Sequence, residues 1–121
     1  MQLELIPAGE QLTARLAGEL DHHGAGEVRE KIDLAVLSRS VRHLRLDFSG
    51  LTFMDSSGVG LIMGRYRLMT ARGGTLRLIG LDPSLDRMLR MAGIEKLPVW
   101  EETPPAPSPK ERMKTDDQTR Q

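Results

Sequence analysis

Phe53-Met54-Asp55-Ser56-Ser57-Gly58-Val59-Gly60 stands between two runs of opposite character. Before it, Arg42-His43-Leu44-Arg45-Leu46-Asp47-Phe48 half-alternates apolar and polar residues, the period of a strand with one buried face. After it, Val59, Ile62, Met63, Tyr66 and Met69 recur at helical spacing up to about Ala71. The segment is therefore a strand-to-helix junction, and Asp55, Ser56 and Ser57 are all N-cap residue types. Such a junction points backbone N–H groups and the positive end of a helix dipole at whatever lies over the hydroxyls. A phosphate there finds donors ready, and a serine there is well presented to a kinase.

The same alternation of strands and helices extends in both directions. Leu3 and Leu5, then Leu12, Ala14 and Leu16, read as two strands of a hairpin around Pro7-Ala8-Gly9, with a turn longer than two residues. Gly18-Glu19-Leu20-Asp21-His22-His23 reads as a loop entering a helix from about Gly24 to Leu37, with Val28, Ile32, Ala35 and Val36 as its apolar stripe. Gly73-Gly74 ends the second helix. Thr75 to Ile79 is a strand, and Asp82-Pro83 opens a third helix that stops at Gly93. Leu97-Pro98-Val99-Trp100 reads as a short final strand that Pro98 confines to an edge. The order β β α β α β α β predicts an α/β fold, a mixed sheet with helices mainly on one face. A single domain is expected over residues 1–102. Thr103-Pro104-Pro105-Ala106-Pro107 continues neither helix nor strand, and residues 103–121 read as a disordered tail.

Composition removes several function classes. The 121 residues carry 17 basic and 17 acidic side chains, with no basic excess for nucleic acid. Four aromatics, Phe48, Phe53, Tyr66 and Trp100, make base stacking an improbable mode of action. No run reaches the length of a membrane span, Met1-Gln2-Leu3-Glu4 has no signal-peptide character, and cysteine is absent. A cytoplasmic protein without disulfide, thiolate or cysteine-metal chemistry is expected.

The junction together with Leu20-Asp21-His22-His23 resembles the STAS domain, shared by sulfate transporters and anti-sigma-factor antagonists, and within it the antagonists of sporulation. The resemblance covers about residues 1–100, with Gly64-Arg65-Tyr66 and Gly73-Gly74 continuing it. It implies that Ser56, directly after the aspartate, accepts a phosphate, while Ser57 supports the turn. It implies two protein partners: an anti-sigma factor that is also a serine kinase, bound by the unmodified form so that a sigma factor is released, and a metal-dependent serine/threonine phosphatase that reverses the modification. It implies no enzymatic activity and no cofactor. The expected partner surface comprises Asp21, His22, His23, Asp55, Ser56, Ser57, Gly58, Gly60 and Met63. The family's last helix would fall where the proline run stands.

Rival readings of the same residues are weaker. Gly58-Val59-Gly60 followed by Gly64 misses the dinucleotide-binding spacing by one residue. A nucleophile elbow needs glycine two residues before the serine, where Met54 and Asp55 stand. The glycines instead let the helix sit close to the sheet or to a partner. His22 and His23 diverge at a helix start and are expected to contact a partner rather than a metal. Met63, Met69, Met88 and Met91 are mostly core, with Met54 and Met63 available as an adaptable surface near the serine. A nucleotide-binding or nucleotide-hydrolysing STAS protein and a STAS scaffold subunit are the alternatives, separated from the first reading by titration with ATP or GTP.

Overall fold

The computed structural model describes residues 1–101. Strands β1 (Gln2–Ala8) and β2 (Gln11–Leu20) lead to helix α1 (His22–Ser38), strand β3 (His43–Met54), helix α2 (Ser56–Ala71), strand β4 (Thr75–Ile79), helix α3 (Pro83–Met91) and a 3-10 turn (Ile94–Lys96). The sheet order is β1-β2-β3-β4. β1 and β2 are antiparallel, whereas β2–β3 and β3–β4 are parallel. A parallel pair needs a crossover, and α1 and α2 supply the two crossovers. Both crossovers step in the same direction along the sheet, so a common right hand puts both helices on one face. The mixed α/β architecture expected from the sequence is present.

Register sorts the residues by face. Leu12, Leu44 and Leu76 align across β2, β3 and β4, and Ala14, Leu46 and Leu78 align next to them. All six are buried. Val28, Ile32 and Val36 of α1 and Leu61, Ile62 and Met69 of α2 close over this face, with Leu89, Ile94 and Val99 completing the core. On the opposite face Arg15 lies 3.2 Å from both Glu4 and Asp47, and Arg45 lies 3.7 Å from Glu101. These charges keep that face wet and contribute little each to stability.

Four expectations need correction. The hairpin turn has two residues, Gly9 and Glu10, because Ala8 already pairs with Gln11. Gly9 supplies the positive φ (+62°) that the first central residue of a type II′ turn requires, and Pro7 sits in the edge strand instead of the turn. β2 runs on through Gly18-Glu19-Leu20, where a loop was expected, because irregular pairing near Ala17 and Gly18 absorbs the glycine without ending the ladder. α1 then begins at His22, two residues earlier than the periodicity indicates. Last, residues 97–100 form only one parallel bridge, Leu78 to Trp100. The 3-10 turn delivers the chain late, and Pro98 has no N–H to extend a ladder. Trp100 is held instead by its indole N–H on the Ile94 carbonyl (3.2 Å) and by the Arg90 guanidinium 3.9 Å above its ring. The tail read over 103–121 lies outside the described residues.

Candidate functional site

β2 and β3 finish side by side, with Leu20 in register with Met54. Each is followed by an aspartate and then by a helix, so two helix N-termini open next to each other. Asp21 is extended (φ −120°, ψ −174°) and caps α1, its carboxylate accepting from His23 N–H (3.1 Å) and Gly24 N–H (3.0 Å). Asp55 is equally extended (φ −102°, ψ −168°) and caps α2 by accepting from Ser57 N–H at 2.8 Å. The Asp55 N–H donates to the Leu20 carbonyl at 3.2 Å, which ties one junction to the other. The Gly24 N–H bond holds the half-buried Asp21 carboxyl below the usual carboxylate range, against a smaller opposing effect of burial.

The residues singled out from sequence take different places around these caps. Ser56 is the first residue of α2 and is exposed, while Ser57 is half-buried with its N–H held by Asp55. His22 and His23 are exposed in the first turn of α1, their rings edge-to-face at 6.0 Å. Gly58 is buried beneath Met54: a Cβ at Gly58 would stand 2.3 Å from the Met54 sulfur. Met54 is therefore core, 6% exposed, and not the adaptable surface expected of it. Met63 is half-buried against the core. Of the four methionines expected to be mostly core, Met91 is the exception at 81% exposed. Gly60 is exposed, with nothing among the described residues outside its own helix turn near the position of a Cβ.

From Gly60 a groove of ≈ 370 Å³ runs between the two helices. Its α1 wall carries His22, Ala25, Gly26 and Arg29. Its α2 wall carries Ser57, Gly60, Gly64 and Arg65. Arg29 and Arg65 went unremarked in the sequence as functional residues, although Arg29 stands three residues after Gly26 and Arg65 four after Leu61, spacings that place each on a groove-lining helix face. Arg65 is 6% exposed, and its Nε lies 2.9 Å from Asp33 Oδ1. Phe53, at the end of β3 three residues before Ser56, is 49% exposed, which a strand position alone does not reveal. Among the described residues no three His, Asp or Glu side chains converge as a metal-holding cluster, and no helix is long and apolar enough to cross a membrane.

Paired strand ends, each feeding a capped helix with an exposed serine at the head of one, are the architecture of the STAS domain, whose family model matches residues 4–107. The chain belongs to that family. It is 39% identical over 102 residues to an anti-sigma F factor antagonist of Paenibacillus polymyxa, a match spanning 84% of this chain and 87% of the relative. The structure of the anti-sigma factor antagonist SpoIIAA in its unphosphorylated form superimposes with a TM-score of 0.73 at 35% identity, covering 83% of this chain and 86% of that one. The phosphorylated form of SpoIIAA, a Bacillus cell fate determinant, superimposes with a TM-score of 0.68 at 35% identity, covering 83% and 89%.

Proposed function

We propose that this protein is an anti-sigma-factor antagonist switched by phosphorylation at Ser56. In its unmodified form it binds an anti-sigma factor that is also a serine kinase, and so frees a sigma factor. The kinase transfers phosphate from ATP to the Ser56 hydroxyl, and a metal-dependent serine/threonine phosphatase removes it. The protein acts as a substrate and a binding partner in the cytoplasm, not as an enzyme. The domain closes near residue 102.

One observation carries this reading: Ser56 is exposed at the first position of α2, directly after the capping Asp55, whose N–H ties this junction to the end of β2 beside the Asp21 cap. A phosphoserine brings about −1.5 to −2 charges. The α2 N-terminus would attract them, but Asp55 already accepts the Ser57 N–H that a phosphate would use. Added charge enclosed by a partner at this point is repelled by Asp55 and stripped of water. An unpaired charge buried at an interface costs roughly 2–5 kcal/mol. At about 1.4 kcal/mol per tenfold, that amounts to a loss of roughly 30-fold to several thousandfold in affinity, enough to exchange one partner for another. The test is incubation with the anti-sigma factor kinase and ATP, followed by mass spectrometry of the peptide that contains Ser56. Phosphate on this peptide, with loss of kinase binding, supports the reading; an unmodified peptide after full turnover of the kinase on a control substrate refutes it.

A further inference from the structure

Five glycines lie inside α1 and α2, and the fold accounts for only two of them. A side chain at Gly24 would press on Met1, with a Cβ 3.3 Å from the Met1 Cβ, and one at Gly58 would collide with Met54. Among the described residues, and apart from their own helix turn and chain neighbours, Gly26, Gly60 and Gly64 have nothing within 4 Å of the place where a Cβ would stand. Glycine inside a helix is costly relative to alanine because it loses more backbone freedom on folding. At these three positions that cost brings no packing in return among the described residues. All three line the groove between α1 and α2, where leaving out side chains lets another backbone come close.

The charge in the groove is unbalanced. Arg29 and Arg65 contribute two guanidinium groups to its walls, and among the described residues Asp33 is the one carboxylate paired with Arg65. The Arg65–Asp33 contact is close at 2.9 Å but poorly aligned for a hydrogen bond, and among the described residues the buried Arg65 Nη1 has no hydrogen-bond partner. A buried donor left unpaired costs free energy. An arginine fork offers planar donors suited to a carboxylate.

We propose that this groove is a docking slot for an acidic side chain of the protein partner, whose backbone rests on Gly26, Gly60 and Gly64 while its carboxylate engages Arg29 and Arg65. The proposal rests on the antagonist reading and extends it from the Ser56 junction along the length of the two helices. It commits to an aspartate or glutamate of the anti-sigma factor because the slot combines close backbone access with a surplus of arginine charge.

Binding of the full-length chain to its purified anti-sigma factor, measured by calorimetry, tests it together with thermal unfolding. Gly60→Leu and Gly64→Leu are expected to hold or raise Tm, since leucine is a good helix former and the space is open, yet to weaken binding at least tenfold. Arg67→Leu, at an exposed position of α2 outside the groove, is the control and leaves binding unchanged. Arg29→Glu weakens binding at least tenfold, whereas Arg67→Glu, with the same change in net charge, alters it less than threefold. Full binding by both leucine variants, or equal losses for Arg29→Glu and Arg67→Glu, overturns the slot while leaving the Ser56 switch standing. A wild-type chain that does not bind the anti-sigma factor overturns both.

Discussion

The sulfur of Met54 occupies the space that a side chain at Gly58 would take, 2.3 Å from where its Cβ would stand. This contact fastens the end of β3 under the first turn of α2 and leaves Ser56, between them, facing outward. Gly58→Ala forces the thioether to move and is expected to cost about 1–3 kcal/mol, the usual penalty of overpacking. Met54→Ala empties a buried site and should cost about 2–5 kcal/mol. Because the two residues touch, the double variant is expected to lose less than the sum. Urea unfolding of the four proteins measures this, and an unchanged midpoint for Gly58→Ala would contradict the packing described.

If Ser56 is the acceptor as proposed, Ser56→Ala should abolish phosphate incorporation while keeping binding to the kinase, because the proposal makes the hydroxyl the substrate and not the anchor. Ser57→Ala should remain a substrate. Radiolabelled ATP distinguishes them; incorporation lost only in Ser57→Ala would move the acceptor by one residue.

Ser56→Asp separates a blocked interface from a loosened fold. Negative charge near a helix N-terminus contributes about 0.3–1 kcal/mol, and repulsion from Asp55 offsets part of it. Stability is therefore expected to stay level or rise slightly, while affinity for the anti-sigma factor falls by tenfold or more. A melting curve that drops by many degrees would show that the modification acts through the fold.

The capping aspartates can be removed one at a time. Asp21→Ala leaves the His23 and Gly24 N–H groups without their acceptor, and Asp55→Ala does the same to Ser57. Each should cost about 1 kcal/mol, and the asparagine variants should recover most of it. Equal losses in alanine and asparagine variants would mean that charge, and not the cap, is what each position contributes.

Acid should weaken the domain through Asp47. Burial pushes its carboxyl upward, but the Ser49 N–H and hydroxyl together with the Arg15 guanidinium outweigh burial and hold it below its ordinary value. A carboxyl lowered in the folded state stabilises fully above its unfolded value of about 3.9 and loses that contribution as pH falls through the folded value. Tm of the native chain should therefore decline below about pH 4, and Asp47→Asn should decline less steeply. Parallel curves for the two proteins would exclude Asp47 as a cause.

Much of this structure could be read directly from the chain. Asp82-Pro83 and Thr75 to Ile79 mark their elements because cap chemistry and strand alternation act within a few residues. Asp55 was one of three cap types in a row, and only the fold selects it. The limits of β2 escaped because Gly18 resembles punctuation, whereas pairing with β3 carries the strand past it. Leu97–Trp100 has strand composition but reaches the sheet with one bridge, a tertiary outcome that local pattern does not contain. At the site, the serine and both aspartates were visible as a motif. The groove was not, since Arg29 and Arg65 meet only when α1 and α2 lie side by side, and nothing in a single helix distinguishes Gly58, which serves the core, from Gly60, which is open.

The two outer strands of the sheet carry a consequence of a different kind. β1 holds Pro7 on its edge, and the far side of β4 is capped by the Trp100 bridge with Pro98 just before it. Each edge thus lacks the continuous row of free N–H and C=O groups that would template another strand. The addition of a further strand is in this way discouraged at both ends of the sheet, so that growth of the ladder is blunted by proline and by a returning chain rather than by charge.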